Sequence, residues 1–218
     1  MARSSVSADS KLSSVASPKQ ARSEETLSRL LDAAESLIVE KSISDVSIPE
    51  IVQRAGSSVG GFYARFRDKN ELLRALEERF FNDVLERVNE IAEPERWRGV
   101  PVTEIVRPCV FEFVQMFRER EALITAFLFR AAQDPDFIAE GLRFRQSVSE
   151  HISSLLLDRR EELDHPDPEV AIEIVVQMAI GLLQQMALSG DFHVDGRRLN
   201  DDRIVDEITR NFISYIGI

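Results

Sequence analysis

The sequence has 218 residues, of which 44% are hydrophobic and 30% charged, and its formal net charge is −11. This length and apolar content suit one compact unit, or a small domain joined to a larger one, with a sizeable core. The scarcity of Tyr, Trp and long β-branched runs disfavours a sheet protein, and the single cysteine, Cys109, excludes an internal disulfide and a cysteine-based metal cluster.

Two features of the sequence bear on its compartment. No apolar run approaches the roughly 20 residues that a membrane-spanning helix needs. Residues 1–20 also lack the apolar middle of a signal peptide. We therefore expect a cytoplasmic protein with no membrane partner.

Residues 1–22 are rich in serine, with scattered alanine, lysine and arginine. Such a composition buries too little apolar surface to fold alone, so we expect a disordered N-terminal arm. Lys11, Lys19 and Arg22 are candidates for contacts with a DNA backbone or groove, as flexible basic arms make them. An idle tail is the alternative interpretation.

An amphipathic helix is predicted over residues 24–41, because its apolar side chains recur at helical spacing. Ser47 and Glu50 can then form a capping box at the start of a short second helix. Gly56 stands where a helix ends in a left-handed residue, and Ser57 or Ser58 can cap a third helix that begins at once.

Two short helices joined by a tight glycine turn predict a helix-turn-helix over residues 47–66, whose second helix can lie in the DNA major groove. An ordinary helical hairpin is the alternative. The flanking sequence favours DNA binding, because an amphipathic helix precedes the unit and a long helix follows it. That following helix opens at Asp68, with Glu71 as its capping partner.

Residues 26–73, TLSRLLDAAESLIVEKSISDVSIPEIVQRAGSSVGGFYARFRDKNELL, resemble the N-terminal domain of the tetracycline-repressor (TetR) family of transcription regulators. The resemblance rests on LLDAAESLI in the first helix, IVQRAGSS leading into the turn, VGGFYARF in the recognition helix and DKNELL opening the fourth helix. It implies double-stranded DNA with a palindromic operator, a homodimer and a small-molecule effector as partners, and it implies no cofactor.

The resemblance also implies which residues meet DNA. Ser47, Tyr63 and Lys69 match family positions that usually touch the DNA backbone. Gly61 and Ala64 depart from the family pattern, since relatives commonly carry Thr at the first and a polar residue at the second. The whole predicted DNA-binding set is Ser47, Ser58, Val59, Gly60, Gly61, Tyr63, Arg65 and Lys69.

Individual roles follow from the chemistry of this set. Val59 offers only apolar contact, most naturally to a thymine methyl group. Arg65 lies near the end of the helix and is expected to meet phosphate. Residues 1–75 hold 11 Lys and Arg against 10 Asp and Glu, so the acidity lies in the rest of the chain. A local basic cluster within 54–69 (Arg54, Arg65, Arg67, Lys69) suits phosphate contacts, with a solvated charged face as the alternative for Arg67.

The rest of the chain is predicted to be helical. The fourth helix runs from residue 68 to about 91, and Pro94, Gly99 and Pro101 break the pattern after it. Five further helices are predicted over 102–118, 121–132, 135–158, 168–188 and 203–216, with no strand. The fold class is therefore all-α with about nine helices. It comprises an N-terminal arm (1–22), a three-helix helix-turn-helix DNA-binding domain (23–70) and a larger C-terminal ligand-binding and dimerisation domain (71–218).

The helix predicted over 168–188 is apolar nearly all round, which indicates burial on more than one side. A second copy of the chain is the simplest cover, although a monomer that buries both C-terminal helices internally is the alternative. The residues expected at the dimer interface are Leu183, Ile204, Ile208, Phe212 and Tyr215.

Seven of the thirteen Phe fall between residues 111 and 144, where they either pack a core or line an apolar pocket. The family resemblance implies such a pocket for a small effector. The expected pocket residues are Phe113, Phe117, Phe127, Phe144, His151, Gln177, Met178 and Gly181.

Neither catalytic nor metal-binding patterns stand out. The three histidines have no ligand partner at metal-binding spacing, and no phosphate loop or nucleophile elbow is present. We therefore expect no enzyme and no metal site. The leading hypothesis is a homodimeric repressor released from its operator by a small apolar or amphipathic effector. The runner-up is an all-α interaction or lipid-carrier protein without DNA binding.

Overall fold

A computed structural model describes residues 18–218 of the chain. Over that range the fold is helical, as predicted. The helices are α1 (Pro18–Glu40), α2 (Ile48–Arg54), α3 (Val59–Tyr63), α4 (Lys69–Ala92), α5 (Val102–Glu119), α6 (Glu121–Ala131), α7 (Pro135–Leu157), α8 (Pro168–Ser189) and α9 (Asp201–Ile216). Short 3₁₀ turns follow α4 at Pro94–Trp97 and α7 at Arg160–Glu162.

Helix α1 begins earlier than the sequence indicated. It starts at Pro18, within the arm predicted to be disordered, and proline is tolerated in a first helical turn because its missing N–H is not needed there. Arg22 is exposed on this helix. Lys11 and the side chain of Lys19 lie outside the described residues.

The loop between α8 and α9 contains a hairpin that the sequence analysis missed. Strands β1 (His193–Val194) and β2 (Arg197–Arg198) pair antiparallel. Asp195 and Gly196 link them with φ angles of 51° and 75°. Asp-Gly is a strong signal for a two-residue turn of this kind, so the prediction of no strand was wrong for a reason visible in the sequence.

The apolar core has two main parts. The first is continuous from the helix-turn-helix, through Phe62 and Leu76, to Phe80, Phe127 and Val148 in the body. It therefore crosses the domain boundary proposed at residue 70. The second part is formed chiefly by α5, α8 and α9. This arrangement couples the helix-turn-helix to the body through packed side chains.

Helix α8 is long and apolar enough to cross a membrane by length and composition, contrary to the expectation that no segment approaches that limit. It contacts α6, α7 and α9 instead, and one side is buried against them. A core helix of a folded protein meets the same criterion, so this composition reflects internal packing.

Candidate functional site

The helix-turn-helix is formed by α2 and α3. The Glu50 carboxylate accepts hydrogen bonds from the Ser47 backbone N–H (3.0 Å) and hydroxyl (2.6 Å), and it pairs with Lys41 Nζ at 2.5 Å. The lysine, followed by the serine donors, lowers the pKa of Glu50 to about 2. Gly56 turns the chain between the helices with φ 57°. Because the Ser47 hydroxyl has one hydrogen, it cannot donate to Glu50 and to a phosphate together.

Helix α3 shows one exposed face and one buried face. Phe62 is fully buried beneath it, whereas Val59 is 50% exposed and Tyr63 is 55% exposed. Gly60 is also exposed. Val59, Gly60 and Tyr63 therefore share the outer face of a short helix that starts immediately after a tight turn, which is the geometry that lets a helix enter a groove.

The cap of α3 explains one departure from the family pattern. Ser58 Oγ accepts a hydrogen bond from the Gly61 N–H at 2.9 Å. A Cβ atom at Gly61 would lie 2.8 Å from Ser57 Oγ and 3.3 Å from Ser58 Oγ, whereas at Gly60 the nearest contact is 3.9 Å. Gly61 thus leaves room for the Ser57 hydroxyl and for the Ser58 hydroxyl, which caps α3.

Lys69 makes contacts other than those its family position implies. Its Nζ donates to the carbonyl oxygens of Ile43 (2.8 Å), Ser44 (3.3 Å) and Val46 (2.8 Å). These three contacts use all three ammonium hydrogens. Burial lowers the lysine pKa. Here Lys69 secures the loop between α1 and α2, and this arrangement leaves no ammonium hydrogen for the expected phosphate contact.

Arg65 is likewise engaged inside the fold. Its guanidinium donates to the Gly61 carbonyl at 2.9 Å and to the carbonyl and hydroxyl of Ser23, each at 3.2 Å. It joins the end of α3 to α1. Among the described residues these contacts use four of the five guanidinium hydrogens, which leaves one Nη1 hydrogen for the expected phosphate contact.

The remaining cations of the 54–69 cluster differ in exposure. Arg54 binds Glu40 and donates to Ser36 Oγ at 2.8 Å. Arg67 has 88% of its side chain exposed and contacts Glu71 at 3.3 Å. Much of the basic cluster therefore holds the helix-turn-helix together. Arg67, for which a solvated face was the alternative reading, is the best placed of the four to reach a phosphate.

A cavity of about 240 Å³ lies within the body, between α4, α5, α6, α7 and α8. Its wall is mainly aromatic and aliphatic. The aromatic lining residues are Phe80, Phe81, Phe113, Phe117, Phe127, Phe137 and Phe144. Glu77, Arg145 and Gln184 are the polar side chains in the lining. An apolar wall with a few polar groups is typical of a small-molecule site.

Two family models match this chain, one over the helix-turn-helix and one over the body that holds the cavity. A family described as bacterial regulatory proteins of the tetR family matches residues 30–76, and a tetracyclin repressor-like C-terminal domain matches residues 101–215. The second match alone covers more than half of the chain. The chain belongs to the TetR family of transcriptional regulators.

Individual relatives agree with this assignment. The chain is 37% identical over 60 residues to YvdT of Bacillus subtilis (strain 168), an uncharacterized HTH-type transcriptional regulator; the match covers 28% of this chain and 31% of that relative. The chain thus spans under a third of the length of the curated relative. A TetR-family regulator from Streptomyces coelicolor has 26% identity and a TM-score of 0.66, covering 88% and 80% of the two chains. A transcriptional regulator from Cytophaga hutchinsonii ATCC 33406 has 18% identity and a TM-score of 0.68, covering 88% and 98%, which shows the fold alone.

The cavity of this TetR-family chain contains half of the expected pocket residues. Phe113, Phe117, Phe127 and Phe144 line it. The other four expected residues do not. Met178 is 51% exposed and Gly181 is exposed on the outer side of α8. Gln177 Nε2 donates to Ser149 Oγ (3.4 Å) and Glu173 (3.0 Å), while His151 Nδ1 lies 2.6 Å from the Ser147 carbonyl oxygen.

The acidic residue of the cavity was not among the predicted site residues. Glu77 is 4% exposed and lines the wall. Burial raises its pKa to about 8. The signal was present in the sequence, because Glu77 shares the apolar stripe of α4 with Leu73, Phe80 and Phe81 at helical spacing.

The expected dimer residues are mostly buried within one chain. Leu183 (1% exposed) lines the cavity, and Ile204, Ile208 and Phe212 are 2–7% exposed in the core of α5, α8 and α9. Tyr215 is 39% exposed and stacks on His165 at a centroid distance of 5.4 Å. Ile204, Ile208 and Phe212 lie where α5 packs on α9, so these three side chains, like Leu183, are covered within one chain.

A different side of α8 is exposed and apolar. Val170, Ile174, Met178 and Leu188 are 38–51% exposed. With the exposed Gly181 they follow helical spacing along one stripe. The sequence predicted that this helix is buried on more than one side, and among the described residues this α8 stripe is the side of it left exposed.

Proposed function

We propose that this TetR-family regulator is a homodimeric repressor that binds a palindromic operator and is released by a small apolar or amphipathic effector in the cavity. The observation that carries this proposal is the position of α4. Its first turns pack Leu72 and Leu76 into the core of the helix-turn-helix, and Phe80, Phe81 and Val84 farther along line the cavity. One helix therefore forms part of both sites.

On DNA, α3 enters the major groove with its exposed face toward the bases. Val59 contacts a thymine methyl group, and the Tyr63 hydroxyl and Arg67 guanidinium meet phosphates. The backbone at Gly60 and Gly61 lies close to the groove wall, and Ser47 and Ser58 border it. Two heads would read half-sites about 34–36 Å apart, one turn of DNA, or a multiple of that spacing.

Charged contacts link the head to the body. Arg79 of α4 donates to Asp32 at 2.5 Å and to Glu35 at 2.7 Å, both on α1. Arg120, at the junction of α5 and α6, also binds Glu35. A ligand that displaces α4 or α6 therefore moves α1 with it, and this changes the spacing of two heads in a dimer. The effector shifts the population away from the DNA-binding state by binding the other state more tightly.

The α8 stripe, together with Tyr215 on α9, is the surface that we propose for the second copy. Leaving this row of apolar side chains exposed to water is unfavourable, and a second copy of the chain would cover it. No catalytic role is proposed for any residue, and the protein would act in the cytoplasm, where its DNA is.

The test is selection of bound fragments from the source genome with the purified full-length protein, followed by affinity measurements at several salt concentrations. We expect tight, salt-sensitive binding to a fragment with an inverted repeat, and weaker binding to a shuffled duplex. Absence of salt-sensitive duplex binding would contradict the proposal and favour the all-α interaction or lipid-carrier alternative, which the apolar cavity alone also permits.

A further inference from the structure

Glu77 is a buried acid without a partner. Its carboxyl lies in the cavity wall on α4, and the described residues give it neither a hydrogen bond nor an ion pair. Burying an unpartnered carboxylate is unfavourable, so such a group either stays protonated or pairs with a bound ligand. Burial raises its pKa to about 8, which agrees with that geometry.

Aromatic rings surround the same space. Phe81 stacks on Phe144 with a centroid distance of 4.2 Å, and Phe80 lies 5.6 Å from Phe127. The π face of an aromatic ring attracts a cation, more strongly where water is excluded. A buried acid among aromatic rings is therefore complementary to a positive charge carried on an apolar body.

We infer that the effector is an organic cation, an apolar or aromatic body that bears an amine, whose charged group binds Glu77. This inference rests on the proposed role of the cavity as the effector site. A cavity of about 150 Å³ accommodates benzene, so 240 Å³ accommodates a ligand of about ten non-hydrogen atoms. A primary amine can also donate to the amide oxygen of Gln184, which lines the same cavity.

The other charged groups near Glu77 do not replace such a ligand. Arg74 on α4 and Arg130 on α6 both face it, and both are bound to Asp134, at 3.4 Å and 3.0 Å. Glu140 on α7 adds a like charge. Arg145, the one cation of the lining, is half-buried and so reaches solvent more than Glu77 does. An anionic ligand could pair with Arg145 but would bring its charge into the cavity that holds the buried acid.

A pH dependence follows from the chemistry of binding. The cation binds the ionised form of Glu77, and in the free protein that form is scarce below the raised pKa. Affinity for an amine should therefore rise about tenfold per pH unit below pH 8 and level off above it. A neutral ligand of the same shape gains nothing from ionised Glu77 and shows no such rise.

The experiment uses the full-length protein and three probes of matched shape: 3-phenylpropylamine, 3-phenylpropan-1-ol and 3-phenylpropionate. Calorimetry from pH 6 to 9 measures each dissociation constant. We expect the amine to bind at least tenfold more tightly than the alcohol or the carboxylate above pH 8. Glu77→Gln should abolish both the amine preference and its pH dependence. Glu140→Gln is the control, because it removes a like charge outside the cavity and should keep amine binding while moving the midpoint to lower pH.

Equal affinity for amine and alcohol, tighter binding of the carboxylate, an unchanged amine affinity in Glu77→Gln, or no binding of the amine would each overturn the inference. The same titrations repeated on the operator complex separate this inference from the proposed function. Amine binding that leaves operator affinity unchanged would contradict the effector role while supporting the cation site. Release of the operator by the alcohol or the carboxylate alone would support the effector role and refute the inference that the effector is a cation.

Discussion

At the scale of single residues, Gly60 and Gly61 are adjacent in the chain but differ in the space around them. A Cβ at Gly60 would have Ser58 Oγ as its nearest neighbour, at an ordinary contact distance of 3.9 Å, while one at Gly61 would crowd the Ser57 hydroxyl and the capping Ser58 hydroxyl. Replacing glycine by alanine inside a helix is worth up to about 1 kcal/mol, and losing a serine cap costs about the same. The same Gly→Ala substitution should therefore change the free energy of unfolding differently, in sign or in size, at these two positions.

We expect Gly60→Ala to raise the free energy of unfolding by up to about 1 kcal/mol, and Gly61→Ala to leave it unchanged or lower it because the gain is offset at the cap. Urea unfolding of both variants beside the parent protein measures this. Equal stabilisation by both substitutions would show that the Ser58 cap tolerates a Cβ at Gly61.

Lys69 and Arg67 form a second matched pair. Lys69→Met leaves three loop carbonyls without their donor, so we expect a loss of stability of about 1–3 kcal/mol. Arg67→Ala removes a mostly exposed side chain and should change stability little. On operator DNA the order reverses: Arg67→Ala should lower the salt slope by about 0.9 for its phosphate contact, and Lys69→Met should leave the slope unchanged. A lower salt slope for Lys69→Met would instead support the phosphate contact that the family resemblance implies for Lys69.

At the scale of elements, the helices were predictable because their caps are local. Asp68 Oδ1 accepts from the Glu71 N–H at 2.9 Å, and Asp167 and Asn200 cap α8 and α9 in the same way. A cap joins residues three apart, so the sequence displays it. The loop carbonyls that bind Lys69 and the Ser23 that binds Arg65 lie 23–42 residues away along the chain, and no periodicity reveals them.

The same reasoning applies to the dimer residues predicted on α8 and α9. An apolar helix shows that it is buried on several sides, but its sequence does not show which side meets its own chain. Leu183 and Met178 are five residues apart on α8, yet the first is 1% exposed and the second 51%. Contacts from α6, α7 and α9 decide between them, and no pattern within α8 itself reveals those contacts.

The α8 stripe gives a prediction at this scale. Met178→Glu places a charge where the second copy is proposed to pack, so we expect the dimer to dissociate while each chain stays folded. Leu183→Ala is the contrasting variant, with a stability loss of about 2–5 kcal/mol from the buried site and no direct effect on association. Sedimentation velocity and thermal unfolding distinguish the two. An intact dimer for Met178→Glu would place the interface elsewhere.

At the scale of the whole molecule, one apolar core joins the DNA-reading helices to the cavity. The general division into head and body was predictable from the acidic body and the motif at 26–73. The continuity of the core was not, since it depends on Phe127 and Val148 reaching the side chains of α4. Four of the cavity-lining Phe side chains were anticipated from the Phe-rich stretch, while Glu77 was not, because a single acid within a charged helix looks solvated.

Glu77 gives the stability of the whole molecule a pH dependence of uncommon sign. Its pKa is about 8 in the folded chain and near its ordinary value of 4.5 in an unfolded one, because burial disfavours the charged form. Between these values the folded state holds a proton that the unfolded state has released. The free energy of unfolding therefore falls as pH rises from about 4.5 to 8, by at most about 1.4 kcal/mol per pH unit from this group.

Glu77→Gln should remove that slope. We expect the urea midpoint of the variant, relative to the parent protein, to rise steadily between pH 5 and pH 8 and to become constant above pH 8. Glu50 does not confuse this comparison, because its lowered pKa of about 2 confines its own effect to the range below pH 4.5, where stability is lost as pH falls. A difference between variant and parent that stays constant from pH 5 to 8 would show that the Glu77 carboxyl titrates normally, as it would if water or an unrecognised partner reached it.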